Sequence, residues 1–126
     1  MGRYSDPRSH EFAREVGVSA GERVLDVGCG TGALTTVLAG IVGAEQVAAV
    51  DPSEPFVAYA QARHRRQRVR FEVGDAQDLP FDDASFDRTL SLLILNFIPD
   101  PVKALKEMVR VTRPGGTIAA AVWDYG

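Results

Sequence analysis

Hydrophobic positions along this chain fall into two kinds of run, and the two kinds alternate. Short β-prone clusters occupy residues 23–27 (Val24, Leu25, Val27), 46–50, 69–73 (Val69, Phe71, Val73), 86–93 and 117–122. Between them lie stretches whose apolar residues recur three or four apart, the spacing that gathers them on one side of a helix. Leu34, Val37, Leu38 and Ile41 do this over 33–41. Phe56, Val57 and Ala60 do it over 54–64, and Val102, Leu105, Met108 and Val109 form the predicted buried stripe of a helix that opens at Pro101. Phe12, Ala13 and Val16 place a further helix over 9–16, inside a wider helical region 5–17. The predicted order is helix, then β-α-β-α-β, a loop, and β-α-β. Such alternation specifies an α/β domain with a parallel sheet, and right-handed crossovers put helices on both faces of a doubly wound, Rossmann-like sheet.

The punctuation agrees with this order. Gly17 and Gly21 mark a turn before the first strand, and Gly40 and Gly43 break the helix after it. Ser53 is an expected N-cap, with Glu54 at the positive end of the same helix. Asp100 caps the later helix, where Pro101 at the first position costs no hydrogen bond. Pro80 punctuates the loop 74–85, and Arg113-Pro114-Gly115-Gly116 is expected to stop the last helix.

Composition narrows the class. The chain has 126 residues, 45% hydrophobic and 25% charged, which suits one folded domain, expected over 1–126 with its core in 22–126. Its net charge of −3 argues against a general polyanion binder. Cys29 is the single cysteine, so neither an intrachain disulfide nor a zinc cluster is expected. No apolar run reaches the roughly 18 residues of a membrane span. The polar start, residues 1–10, gives no signal-peptide pattern, and a cytoplasmic location is expected.

Candidate chemistry lies just beyond the strands, because ligands of doubly wound sheets bind outside the carboxyl ends. The strongest signal is Val24-Leu25-Asp26-Val27-Gly28-Cys29-Gly30-Thr31-Gly32, a strand, a glycine turn and a helix start. Gly28, Gly30 and Gly32 let backbone approach a ligand where a Cβ would collide. Gly28 to Ala33 also satisfies the loose dinucleotide pattern, so an NAD-dependent dehydrogenase is an alternative. Asp26 argues against it, since a carboxylate repels a diphosphate but attracts an ammonium or a sulfonium. Asp51, 19 residues beyond Gly32, can accept from both hydroxyls of a ribose. Asp75 can accept from an exocyclic amine, and its neighbour's N–H can meet a ring nitrogen. The three carboxylates are expected to line one nucleoside.

Taken in order, Asp26-Val27-Gly28-Cys29-Gly30-Thr31-Gly32, Val50-Asp51-Pro52-Ser53, Gly74-Asp75-Ala76, Leu79-Pro80-Phe81 with Ser85-Phe86-Asp87, and Arg113-Pro114-Gly115-Gly116 resemble class I S-adenosylmethionine-dependent methyltransferases. The resemblance is to the small-molecule branch that includes ubiquinone- and menaquinone-biosynthesis enzymes. It implies strand order 3-2-1-4-5, without the family's usual strands 6 and 7. It implies that Gly28, Cys29, Gly30 and Gly32 cradle the methionine part of S-adenosylmethionine, with Asp26 near its amino group. Asp51 would hold the ribose, Pro52 or Ser53 would flank the adenine, and Asp75 and Ala76 would read its edge. The segment Ser91-Leu92-Leu93 would face the transfer site. The implied reaction is in-line methyl transfer to a small-molecule acceptor, releasing S-adenosylhomocysteine. Many relatives carry histidines after strand four where this chain has Asn96-Phe97, so no catalytic residue is assigned.

The resemblance also implies that the chain is the cofactor-binding front of a longer enzyme. A shortened domain that holds the cofactor without turnover is therefore a second alternative. Strand five would then be an open edge, and a homodimer through it is expected. Apolar residues left for an acceptor wall are Tyr4, Phe12, Leu92, Phe97 and Trp123. Other features take plainer readings. Cys29 is a small filler, and His10 and His64 are expected to be exposed. Asp78, Asp82 and Asp83 belong to a solvated loop with no expected metal. Arg63, Arg65, Arg66, Arg68 and Arg70 suggest a nucleic-acid patch, but no aromatic residue interleaves with them and an acidic run follows, so a charged helix end is preferred.

Overall fold

The computed structural model describes residues 7–92 and 99–121. Its elements run α1 (Pro7–Val16), β1 (Val24–Val27), α2 (Ala33–Val42), a single 3₁₀ turn (Ala44–Gln46), β2 (Val47–Asp51), α3 (Glu54–Arg63), β3 (Arg70–Val73), β4 (Phe86–Leu92), α4 (Pro101–Val111) and β5 (Thr112–Ala121). The five strands form one parallel sheet in the order β3-β2-β1-β4-β5. This is the expected Rossmann-like α/β fold. β1 sits at the centre, and its four residues are all buried, as a strand covered on both faces must be.

Alternation along the strands divides the core. Val24, Val47 and Leu90 join α1 and α2 on one face, while Ala49 and Phe71 meet Val57 and Ala60 of α3 beside them. Leu25, Val27, Val50 and Phe86 join α4 on the other face, where Ala76, Leu79 and Phe81 from the 74–85 loop complete the layer. The caps are as expected. Ser53 Oγ accepts from the Phe56 N–H at 3.2 Å, and an Asp100 carboxylate oxygen accepts from the Lys103 N–H at 3.1 Å. No described helix is long and apolar enough to cross a membrane.

Four expectations are corrected. The buried side of α4 is Ala104, Met108 and Val111, whereas Val102, Leu105 and Val109 are exposed. Both sets have helical spacing, and tertiary anchors choose between them. Arg110 donates to the carbonyls of Leu79 and Phe81 and to Asp83, and Glu107 accepts from the Leu79 N–H at 2.8 Å. These bonds turn the polar flank of α4 toward the loop and leave the 102/105/109 flank outward. Phe56 of α3 is likewise exposed, with only Val57 and Ala60 buried. His64 is buried at the end of α3, held by hydrogen bonds to both ring nitrogens. Finally, β5 starts at Thr112 rather than 117, because Thr112 pairs with Phe86 before the chain loops out through Arg113-Pro114-Gly115-Gly116 and re-pairs at Thr117 with Arg88. Gly115 takes φ +85°, and a Cβ on Gly116 would lie 2.5 Å from the Asp87 carbonyl oxygen, so the bulge needs both glycines. Val122 lies outside the described residues.

Candidate functional site

The tips of β1 and β2 carry the centre of the site. At β1, the glycine turn of residues 28–32 links strand to helix through left-handed backbone at Gly28 (φ 77°), Gly30 (φ 55°) and Gly32 (φ 96°). The N–H groups of Gly28 and Cys29 both donate to the Val50 carbonyl, at 2.7 and 3.0 Å, so the turn is sewn to β2. The glycines are not equivalent. A Cβ on Gly30 would meet nothing within 4 Å, leaving open space for a ligand. A Cβ on Gly32 would meet His64 Cε1 at 3.3 Å and Ala60 Cβ at 3.5 Å, so Gly32 serves the close approach of α3.

Asp26 and Asp51 come together around this turn. Both lie at positions of β1 and β2 whose strand parity matches the α2 side of the sheet. Asp26 is 1% exposed, and its Oδ2 accepts from Thr35 Oγ1 at 2.7 Å. Burial pushes its carboxyl up to about 7, the Thr35 bond opposes this, and the Asp51 charge adds to it. Asp51 is also buried; its Oδ2 accepts from the Gly30 N–H and its Oδ1 from the Ser53 N–H, each at 2.9 Å. Asp51 thus fixes the turn on one side and the start of α3 on the other. Pro52 is exposed between them, and Ser53 spends its hydroxyl as the α3 cap.

Asp75 has a different setting. Its backbone is tied to β2 by the preceding residue, Gly74, whose N–H donates to the Asp51 carbonyl at 3.1 Å. Its exposed carboxylate closes a local turn, accepting from the Gln77 N–H at 2.8 Å and from the Gln77 amide. These bonds, with Lys103 nearby, hold it below the usual carboxylate range. Ala76 is buried in the α4-side core. Ser91 is fully buried, and its Oγ has no hydrogen-bond partner among the described residues. By strand parity it shares the α4 face with Thr89 and Val27 rather than the face of Asp26. Leu92 is partly buried against the α2-side core. Phe12, offered for an acceptor wall, is instead part of that core. Tyr4, Leu93, Asn96, Phe97 and Trp123 lie outside the described residues.

Three residues of the site had no advance signal. Thr35 reads in sequence as an ordinary helical threonine, and only folding brings it to Asp26. Thr36 and His64 meet at 3.0 Å across 28 positions. Cys29 is buried, and burial raises its thiol far above neutrality, in keeping with a filler. The arginine-rich segment is largely engaged. Arg68 pairs with Glu45, Arg70 pairs with Glu72, and Arg63 lies over the Tyr59 ring.

Comparison with known proteins gives a consistent picture. Residues 25–120 match a family model described as a methyltransferase domain. An O-methyltransferase (cnsE) of Penicillium expansum is 39% identical, over 96% of this chain and 49% of its own length. A demethylmenaquinone methyltransferase of Staphylococcus aureus is 39% identical, over 83% of this chain and 44% of its own. The chain therefore spans about half the length of the curated relatives it matches. Among solved structures, a methyltransferase of Haloferax volcanii in complex with the Trm112 activator superposes with a TM-score of 0.81 at 33% identity, covering 92% of this chain and 53% of that one. The [4+2]-cyclase SpnF superposes at 0.82 and 30% identity, covering 90% and 43%.

Proposed function

This chain belongs to the methyltransferase-domain family, and on that premise we propose that it binds S-adenosylmethionine over its glycine turn for methyl transfer to a small-molecule acceptor. One observation carries the reading. Two buried carboxylates, Asp26 and Asp51, flank an open glycine turn, and their described hydrogen-bond donors (Thr35, Gly30 and Ser53) are all uncharged. Such a site complements a ligand bearing hydroxyls and positive charge, and it repels a diphosphate. That is why the NAD-dependent alternative ranks below this one.

The roles follow residue by residue. Gly28, Cys29, Gly30 and Gly32 offer backbone to the methionine part, with Asp26 toward its ammonium. Asp51 keeps lone pairs beyond those taken by Gly30 and Ser53, and these are available to ribose hydroxyls. Pro52 or Ser53 flanks the adenine, Asp75 and Ala76 read its edge, and Ser91 and Leu92 border the transfer end. When bound, the cofactor supplies a methyl group already activated by its sulfonium. The chain's contribution is then to hold the partners in register and keep water out, an effect worth roughly 7–11 kcal/mol when complete. The relatives' names, an O-methyltransferase and a demethylmenaquinone methyltransferase, support a small-molecule acceptor.

A specific observation favours one other reading. The neighbour named as a cyclase shows that this fold is not confined to proteins named as methyltransferases. A domain that holds the cofactor without methyl transfer is the alternative. Turnover on a panel of phenols, quinones and amines supports transfer; binding without turnover supports the alternative.

The proposal extends to organisation. Residues 1–126 act as one cofactor-binding domain in the cytoplasm. A homodimer forms through β5, the last strand of the sheet among the described residues, together with the exposed Val102, Leu105 and Val109 of α4. Sedimentation at micromolar concentration reads its presence.

Titration calorimetry with S-adenosylhomocysteine on wild type and Asp51→Ala tests the central claim. The expected loss is about 1.5–3 kcal/mol, the worth of hydrogen bonds to a charged acceptor. Equal affinity in the two proteins, or tighter binding of NAD than of S-adenosylhomocysteine, would overturn it.

A further inference from the structure

We propose that His64 is a positioning residue for the glycine turn, acting through Thr36. The inference rests on the cofactor reading above and adds a group that lies outside the turn. His64 closes α3 and is buried among three elements. Its ring lies 5.3 Å, centroid to centroid, from Phe71 of β3. Its Cε1 would lie 3.3 Å from a Cβ placed on Gly32, so the ring backs onto the turn. Each ring nitrogen has one partner. Nδ1 is 2.9 Å from the Ala60 carbonyl oxygen, and Nε2 is 3.0 Å from Thr36 Oγ1.

A carbonyl only accepts, so Nδ1 carries the ring proton. In the neutral ring Nε2 then offers its lone pair to the Thr36 hydroxyl. With its single proton on Nε2, that hydroxyl does not also donate to the Gly32 carbonyl 2.9 Å away; Thr36 holds this carbonyl through its backbone N–H, at 2.9 Å. The Gly32 N–H donates to the Cys29 carbonyl at 2.9 Å, and the Gly30 N–H donates to Asp51. An unbroken path therefore runs from Ala60 through His64, Thr36, Gly32 and Cys29 to the backbone that faces the ligand.

The turn needs such support. Three left-handed glycines give it a conformation that few other residues adopt, but glycine also has the most freedom to lose when ordered. Asp51 stiffens it from the β2 side, through the Gly30 N–H. A ring that packs on Gly32 and bonds Thr36 supplies that stiffness from α3, so less ordering remains to be done when ligand binds. A purely apolar filler would occupy the same space, yet it would leave Thr36 without this partner.

The test is calorimetry with S-adenosylhomocysteine on wild type, Thr36→Val, Thr36→Ser, His64→Asn and the double variant Thr36→Val/His64→Asn. Valine keeps the volume and loses the hydroxyl; serine keeps the hydroxyl. We expect Thr36→Val and His64→Asn each to weaken binding about three- to tenfold, the worth of one hydrogen bond. The double variant should be no weaker than the worse single, because both break one link. Thr36→Ser should recover affinity relative to Thr36→Val, which loss of packing alone would not produce. In parallel, nitrogen-15 spectra of the His64 ring should show a protonated Nδ1, and the Gly30 and Gly32 amide signals should shift in Thr36→Val without ligand. Wild-type binding with unaltered affinity in both single variants would overturn the inference alone. Failure of wild type to bind, with those amide shifts present, would instead sink the cofactor reading and the inference with it.

Discussion

Replacing Asp26 by Asn removes a titrating carboxyl from a fully buried position of the site, and its effect on stability must depend on pH. Asp26 is 1% exposed. Burial first, and then the Asp51 charge, raise its carboxyl from the ordinary 3.8 to about 7, against the opposing Thr35 bond. The folded chain therefore binds this proton more tightly than the unfolded chain does. Its contribution to stability is fully present below about pH 3.8 and is lost as pH rises through about 7. Each pKa unit corresponds to 1.36 kcal/mol, so the full loss comes to roughly 4 kcal/mol. Asparagine never ionises, and its amide oxygen can still accept from Thr35. Urea denaturation of both proteins at pH 4, 6 and 8 isolates the effect, because every other titrating group is common to the pair. Asp26→Asn should gain on wild type by up to about 4 kcal/mol between pH 4 and pH 8. A difference that stays constant across that range would refute the reasoning. The same logic links to binding. A cationic ligand group beside Asp26 favours the carboxylate, so binding near pH 6.5 should release a proton. That release is seen as a heat that varies with buffer and is absent in Asp26→Asn.

Two other outcomes are expected. Gly32→Ala should destabilise the fold by about 1–2 kcal/mol, lowering Tm by roughly 4–8 °C, because φ +96° is strained for alanine and its Cβ would meet His64 Cε1 at 3.3 Å; an unchanged Tm would contradict the assignment of Gly32 to helix packing. Leu105→Lys should leave stability within about 0.5 kcal/mol, since the side chain is already 40% exposed, but should shift a wild-type dimer to monomer in sedimentation; a monomeric wild type would remove the proposed interface.

Local chemistry made much of this protein legible before folding was considered. Strand runs, helical spacing, the Ser53 and Asp100 caps and the left-handed glycines each act within a few residues, so sequence alone determined the element order and placed Asp26, the glycine turn and Asp51 at successive strand ends. The α/β class followed from the same alternation. Contacts across the chain decided the rest. Apolar residues of α4 offered two faces of helical spacing, and only the anchoring of Arg110 and Glu107 to Leu79, Phe81 and Asp83 selected Ala104, Met108 and Val111 for burial. His64 read as part of a polar surface segment, yet Thr36 and the Ala60 carbonyl gave its ring the hydrogen bonds that make burial tolerable. Asp75 sits at a strand end as expected, but a neighbouring glutamine claims its carboxylate. For α4 and His64 the pattern along the chain was ambiguous, and satisfaction of polar groups by partners that folding brings in settled the outcome, whereas Asp75 was settled by a residue two positions on.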